Sequence, residues 1–172
     1  MKTRQLLPLF AGVVLCAGFS SLLAAAPVAK APDNVTVVYV EPDKFTDVLE
    51  NGTNIVSTYY LDQLRDTLLQ AAAPLVPAGQ KLTITVTDID LAGETRFNQP
   101  HQIRIMKDIY VPRVFLKFQV VDTDGKVVKE GERRLINMDY LNDMRGFNSS
   151  EPLYHDKKLL TEWVGKEFKA KA

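Results

Sequence analysis

The chain has 172 residues, with 21 lysine and arginine residues against 21 aspartate and glutamate residues, so its formal net charge is zero. A balanced charge gives no electrostatic ground for a nucleic-acid partner or for binding to an anionic membrane surface. Cys16 is the only cysteine. A fold stapled by disulfide bonds is therefore excluded, and the protein must rely on its hydrophobic core.

The amino-terminal segment has the composition of a secretory signal peptide. Lys2 and Arg4 are the only charged residues before Lys30, residues 6–23 are mainly apolar, and alanines occupy positions 24–26. A basic start, an apolar centre and a small-residue end are the three parts of such a signal. We predict cleavage at this end and export to the periplasm. The alternative is an uncleaved anchor, since about 20 apolar residues can span a bilayer.

Cleavage divides the chain into a signal peptide at residues 1–26, an alanine- and proline-rich linker at 27–34, and a single domain at 35–170. The 146 residues that remain after cleavage are enough for one domain with a sizeable core. Their net charge is −2, because the signal removes two basic residues and no acidic ones. We expect no membrane span in this mature chain.

The first half of the domain predicts a strand, a helix and a second strand. Residues 35–40 are all β-branched or aromatic, which favours a strand. Apolar residues recur at helical spacing between positions 56 and 75, and prolines follow. Residues 81–87 then alternate between polar and apolar side chains, which is typical of a half-buried strand.

The second half predicts a long loop, a hairpin and a final helix. Residues 92–112 are irregular, with one short element expected within 103–110. Asp124 and Gly125 are a favoured hairpin turn pair, and Gly131 is a candidate β-bulge on the return strand. After the hairpin, a serine at position 149 or 150 is expected to cap the last helix.

This order, β-α-β-loop-β-β-α, predicts an α+β fold. We expect a mixed, mostly antiparallel sheet of about four strands with two helices packed on one face. The apolar faces of these elements should meet in a common core that contains Leu64, Leu68, Val86, Leu116, Phe118 and Trp163.

Three acidic residues stand out because of where they fall relative to the alternation of the second strand. If the alternation of the second strand continued, Asp88 and Asp90 would point into the core, where an unpaired carboxylate is very costly. One solution is a bulge or strand end near Thr87. Another is pairing with arginine, and a third is a hard cation held by the two aspartates and Glu94.

Basic residues that could pair with these acids lie in the loop and the hairpin. Arg104 and Arg113 flank Asp108, and Arg133 and Arg134 lie on the return strand. Arginine binds carboxylates through two parallel hydrogen bonds. We therefore predict a binding site or a structural ion-pair cluster with six members, namely Asp88, Asp90, Glu94, Arg104, Asp108 and Arg113.

Several segments resemble a known family. They are YVEPDKFTD at 39–47, TVTDIDLAGE at 85–94, MKDIYVPR at 106–113, DYL at 139–141 and YHDKKLL at 154–160. In this order they resemble a group of small exported proteins of Gram-negative bacteria that is defined only as a domain of unknown function. The resemblance implies a location in the cell envelope and carries no activity.

Two classes of function follow. The first is a non-catalytic envelope module that binds a protein, a glycan or a lipid. The second is a cation-dependent enzyme or metal-binding protein that uses Asp88, Asp90 and Glu94. The sequence has no nucleophile elbow, no glycine-rich phosphate loop and no histidine pair at metal-ligand spacing. We therefore favour the first class and predict no catalytic residue, metal or cofactor.

Overall fold

The computed structural model describes residues 32–50, 53, 55–95, 104–147 and 149–169. The predicted signal peptide and most of the predicted linker lie outside these residues. In chain order the elements are β1 (Val35–Tyr39), α1 (Thr58–Ala72), β2 (Lys81–Asp90), β3 (Glu94–Thr95), β4 (Arg104–Ile105), β5 (Arg113–Val121), β6 (Val127–Ile136), α2 (Met144–Phe147) and α3 (Tyr154–Phe168).

The main sheet has four strands in the order β1-β2-β5-β6. β1 runs parallel to β2, whereas the β2–β5 and β5–β6 pairs are antiparallel. The strands β3 and β4 form a separate two-stranded sheet inside the segment that the sequence predicted as a loop. The predicted α+β class, with its mixed and mostly antiparallel sheet, is confirmed.

Helices α1 and α3 cover the same face of the main sheet. Their apolar side chains share one buried cluster with the inward-facing side chains of β1, β2 and β5. Leu64 and Leu68 come from α1, and Trp163 comes from α3. The cluster also contains the three predicted strand residues, so all six expected core residues are confirmed. The opposite face of the sheet carries no helix among the described residues, and threonine and charged side chains line it.

The hairpin between β5 and β6 closes as the turn pair predicts. Asp122 accepts hydrogen bonds from the backbone N–H groups of Asp124 and Lys126, at 3.0 and 2.9 Å. Gly125 adopts φ +78°, which a side chain would resist. The predicted bulge at Gly131 is wrong. Gly131 pairs regularly with β5, and the irregularity lies at the end of the hairpin, between Val120 and Val121 of β5.

The two long helices begin in different ways. Ser57 caps α1, and its hydroxyl accepts from the N–H of Tyr60 at 3.3 Å. The predicted serine cap of the last helix is wrong, because Ser149 bonds the N–H of Glu151 in a local turn. Helix α3 instead begins after Leu153, which adopts the left-handed conformation with φ 58° and makes no side-chain cap.

The pairing directions place several loops together. β1, β2 and β6 all finish at the end of the sheet where β5 begins. We call this the loop end. It carries the chain that follows each of these strands, and helix α1 begins there as the chain returns from β1.

Candidate functional site

All six predicted site residues lie at the loop end, although only two of them contact each other directly. Asp88 and Asp90 occupy the last positions of β2, and Arg113 begins β5. Glu94 and Arg104 lie on the small sheet formed by β3 and β4. The sixth, Asp108, is exposed in the turn that follows β4.

A β-bulge in β2 decides where the aspartates point. The pairing register between β2 and β5 shifts between Val86 and Asp88, so Thr87 is the extra residue. After the bulge Ile89 takes the inward position and is 1% exposed. The expectation that Asp88 and Asp90 inherit the buried face is therefore wrong. The bulge near Thr87, which the sequence left open, turns both carboxylates away from the core.

Each of the two aspartates has its own partner. Asp90 accepts a hydrogen bond from Nη1 of Arg113 at 2.5 Å, which is the expected carboxylate–arginine pair. Asp88 accepts from the backbone N–H and the hydroxyl of Thr46, at 2.7 and 2.8 Å. Partial burial raises the pKa of Asp90, and the bond from Arg113 opposes that rise. Glu94 is exposed and pairs through its backbone with Ile105.

Arg104 connects several segments of the loop end. Its guanidinium donates to the carbonyls of residues 91–93, to the hydroxyl of Thr95 and to the carboxylate of Asp47. Arg104 was one of four arginines expected to include a partner of the predicted acids, and the Asp90–Arg113 pair confirms that expectation. The ion-pair partner of Arg104 is Asp47, which is 57 positions away in the sequence and was not a predicted site residue.

The two arginines of the return strand serve other contacts. Arg133 binds Glu167 of α3 through Nε and Nη2, at 2.9 and 3.0 Å. Arg134 lies over the ring of Phe115 on the uncovered face of the sheet, 5.1 Å from its centroid. Neither arginine joins the acidic residues of the loop end.

Asp156 is a second residue that the sequence analysis missed. It lies in the first turn of α3, is 2% exposed, and accepts the N–H of Ala92 at 2.9 Å. Burial raises the pKa of this carboxyl to about 6, although Ala92 and Arg104 favour its charged form. A sequence pattern could have revealed it, because Asp156 shares the helical phase of the buried residues Leu160 and Trp163.

A small second core holds the outer loops in place. Ala92, Val111 and the fully buried Tyr140 form it. The hydroxyl of Tyr140 donates to the carbonyl of Lys107 at 2.6 Å, which ties the chain after β4 to the chain after β6. The ring of Tyr140 also packs edge-on against His155, with centroids 4.9 Å apart.

Gly146 is required by this packing. A Cβ atom at that position would lie 2.2 Å from the imidazole of His155. The imidazole is buried, its Nδ1 has no hydrogen-bond partner, and burial lowers the pKa of His155. The histidine therefore packs between the rings of Tyr140 and Tyr154.

Apolar side chains project from the braced loops. Met106, Ile109 and Met138 are 42%, 64% and 72% exposed. Met106 and Ile109 follow β4, and Met138 follows β6, on the two segments that Tyr140 links. We call these three residues the apolar loop surface. Exposed apolar side chains on neighbouring segments of a surface are candidates for an interaction site.

An open cavity of about 300 Å³ lies beside this surface, with Asp47, Asp90 and Glu94 among its lining residues. The two aspartates are each held by an arginine, and that arrangement leaves little capacity to bind a cation. Within the residues that the structure describes, no group of three or more histidine, cysteine or acidic side chains is placed to hold a metal ion. The described acids Asp47 and Asp90 of the loop end are thus paired with arginines.

The described part of the chain contains no helix that is long and apolar enough to cross a membrane. None of the curated proteins compared with the chain matches it. Among solved structures, a PelC dodecamer from Paraburkholderia phytofirmans is similar, with a TM-score of 0.35 and 14% identity over 79% of this chain and 83% of that chain.

The family comparison is more informative. A family model described as Protein of unknown function (DUF3016) matches residues 33–166, which is almost all of the described domain. It spans all the segments quoted for the resemblance above, and it assigns no activity. Export and an envelope location stay predictions from the amino-terminal sequence. The chain belongs to the DUF3016 family.

Proposed function

We propose that this protein is a non-catalytic binding module of the bacterial cell envelope that engages a protein partner through the apolar loop surface. The observation that carries the proposal is the exposure of Met106, Ile109 and Met138 on two segments that the hydrogen bond from Tyr140 to Lys107 connects. A rigid apolar surface loses little conformational entropy when a partner covers it, so more of its interaction energy is available for binding.

The contacts of the acidic residues support binding over catalysis. Asp90 is engaged by Arg113, Asp88 by Thr46 and Asp47 by Arg104. A catalytic carboxylate must reach a substrate, and these carboxylates are committed to groups of the protein. The alternative is a cation-dependent enzyme built on Asp88, Asp90 and Glu94. Asp90 and Glu94 do line one cavity, but Asp90 and Asp88 are both engaged by groups of the protein, which disfavours this alternative.

The envelope location rests on the amino-terminal sequence. The basic start and the uncharged apolar stretch at residues 6–23 favour export, and a net charge of −2 after cleavage does not favour a nucleic-acid partner. Mass spectrometry of the protein recovered from cells tests this part. We expect a first residue between Ala25 and Lys30 in the periplasmic fraction. An intact residue 1–24 segment in the membrane fraction would show that the segment is an anchor.

Site-specific photo-crosslinking in cells tests the binding surface. A benzophenone amino acid is placed at Ile109, at Met138, or at Val38 as the control. Val38 is similarly apolar and 41% exposed, but it lies on β1, at the edge of the main sheet opposite β6. We expect a crosslinked species of one size from positions 109 and 138 that is absent at 38. Equal crosslinking at all three positions, or none at 109 and 138, would contradict the proposal.

A second variant links the crosslink to the surface. Met138→Glu places a charge on the apolar loop surface without touching a described hydrogen bond, and it should abolish the crosslink from position 109. The unfolding midpoint in urea should stay close to that of the unmodified protein, because the side chain at position 138 is 72% exposed. A crosslink that persists in this variant would show that the partner does not use the surface.

A further inference from the structure

The strand β6 forms an unusually long open edge. It has ten residues, about 33 Å of strand, and it is the last strand in the sheet order. Among the described residues only β5 pairs with it, so no described strand occupies its outer side. One backbone group near its centre is engaged by a side chain, since the Glu132 carbonyl accepts from Nη1 of Arg133 at 2.9 Å. Edge strands are commonly short or covered, because an open edge is a template for pairing with another chain.

The uncovered face of β6 carries three charged side chains in a fixed order. Glu130 bonds Gln119 at 3.3 Å, Glu132 faces Lys117 with 3.6 Å between charged atoms, and Arg134 stacks on Phe115. These contacts to β5 establish that all three side chains lie on the face without helices.

The helix-facing charges of β6 are engaged within the protein. Lys129 and Arg133 both bind Glu167 of α3, with Nζ–Oε1 and Nε–Oε2 distances of 2.8 and 2.9 Å. They also lie over the ring of Phe118, at 5.8 and 5.1 Å from its centroid. Both are basic, so only the uncovered face of β6 offers charges of both signs to a partner strand.

The order of charges on that face is complementary to the same order in a second copy that runs in the opposite direction. If two copies of β6 pair antiparallel with Glu132 opposite Glu132, then Glu130 of each copy lies opposite Arg134 of the other. The pairing gives two opposite-charge pairs for one like-charge pair, and each acidic residue of the like-charge pair has Lys117 beside it. Opposite charges placed directly across two strands are favourable, and like charges are unfavourable.

Neighbouring registers fit less well. Centring the pair on Gly131 places Glu130 opposite Glu132 twice, so two like-charge pairs replace the ion pairs. Centring it on Arg133 also gives two opposite-charge pairs, Glu132 with Arg134, but it places Arg133 opposite itself and Glu130 opposite the apolar Ile136, and it pairs only seven residues of each strand. The Glu132-centred register also aligns Val128 with Ile136 and uses nine residues of each strand.

We propose that β6 is a homodimerisation edge, and that a second copy of this chain pairs with it antiparallel in the Glu132-centred register. The two sheets then form one continuous sheet of eight strands. The two-fold axis is perpendicular to that sheet, so the helices of both copies lie on one face. A contact of one strand is at the small end of specific interfaces, and we expect association in the micromolar range.

A charge-exchange series tests the register. Sedimentation equilibrium at low salt, on the protein purified as the cell processes it, should show a concentration-dependent monomer–dimer equilibrium. Glu130→Arg and Arg134→Glu should each weaken association about tenfold, because two ion pairs become two like-charge pairs. The double variant restores opposite charges and should recover the original association. Asp124→Arg, in the hairpin turn, is the matched control and should leave association unchanged.

Glu132→Gln provides a test that does not depend on the reversed charges. It removes the single like-charge pair and should strengthen association several-fold. A protein that stays monomeric throughout the concentration series, a double variant that fails to recover, or a Glu132→Gln variant that associates no better would each overturn the proposal. These outcomes are independent of the crosslinks from the apolar loop surface, because Ile109 and Met138 lie outside β6.

Discussion

Replacing the buried Asp156 by asparagine should stabilise the protein at neutral pH. The carboxyl is 2% exposed and its charge is opposed by burial, which raises its pKa from 3.8 to about 6. Asparagine keeps an oxygen that can accept the N–H of Ala92, the bond that the carboxylate makes at 2.9 Å. The substitution therefore removes an ionisable group while it preserves the described contact.

The size and sign of the effect follow from the two pKa values. Between pH 6 and pH 3.8 the native state holds a proton at Asp156 that the unfolded chain has released, so native stability rises as the pH falls. The full interval from 3.8 to about 6 corresponds to about 3 kcal/mol. At pH 4.5 the gain is about 2 kcal/mol, and above pH 7 it is absent.

Urea unfolding followed by the fluorescence of Trp163, the single tryptophan, measures both proteins across this range. We expect Asp156→Asn to be more stable than the native protein at pH 7.5, with a difference that shrinks by about 2 kcal/mol by pH 4.5. Asp108→Asn, which changes an exposed carboxyl, serves as the control and should track the native protein. Parallel pH profiles for Asp156→Asn and the native protein would refute the assignment of this titration to Asp156.

Three further substitutions test the packing and bracing of the domain by the same unfolding measurement. Arg104→Gln leaves Asp47 and backbone carbonyls without their donor and should lower the free energy of unfolding by about 3–5 kcal/mol. Its control, Arg65→Gln, breaks an exposed pair and should lower it by about 0–1 kcal/mol. Similar losses in the two variants would show that Arg104 does not hold the loop end together. Leu68→Ala, at a position 1% exposed, should cost about 2–5 kcal/mol, and a loss below about 1 kcal/mol would place it outside the core. Tyr140→Phe removes the bond to the Lys107 carbonyl and should cost about 1–3 kcal/mol through the carbonyl left unsatisfied, so an unchanged stability would mean that water replaces the hydroxyl.

The helices and long strands could be predicted because their apolar spacing is local. Leu64 and Leu68 lie one turn apart on α1, and the alternation in β2 needs only neighbouring residues. The phase change at Thr87 could not be predicted in the same way. The sequence was compatible with a continued alternation and with a bulge, and the bulge depends on how β5 pairs with β2.

Local sequence patterns could not predict the contacts of the loop end. Arg104 and Asp47 are far apart in the sequence, and the segment around Asp47 has no periodicity that would assign its direction. Opposite charges are abundant in this chain, so charge alone offered Arg104 several equivalent partners. Asp156 differs, since an acid in the buried phase of a helix is a local anomaly that a closer inspection of α3 would have found.

The bracing of the loop end has a consequence for the order of folding. Its bonds join residues that are far apart along the chain: 57 positions for Arg104 and Asp47, and 64 for Ala92 and Asp156. The β5–β6 hairpin, by contrast, closes through one tight turn and pays little loop entropy. We therefore expect the hairpin to form early and the loop end to form last, after α3 has docked. The apolar loop surface then acquires its shape only once α3 has packed against the main sheet.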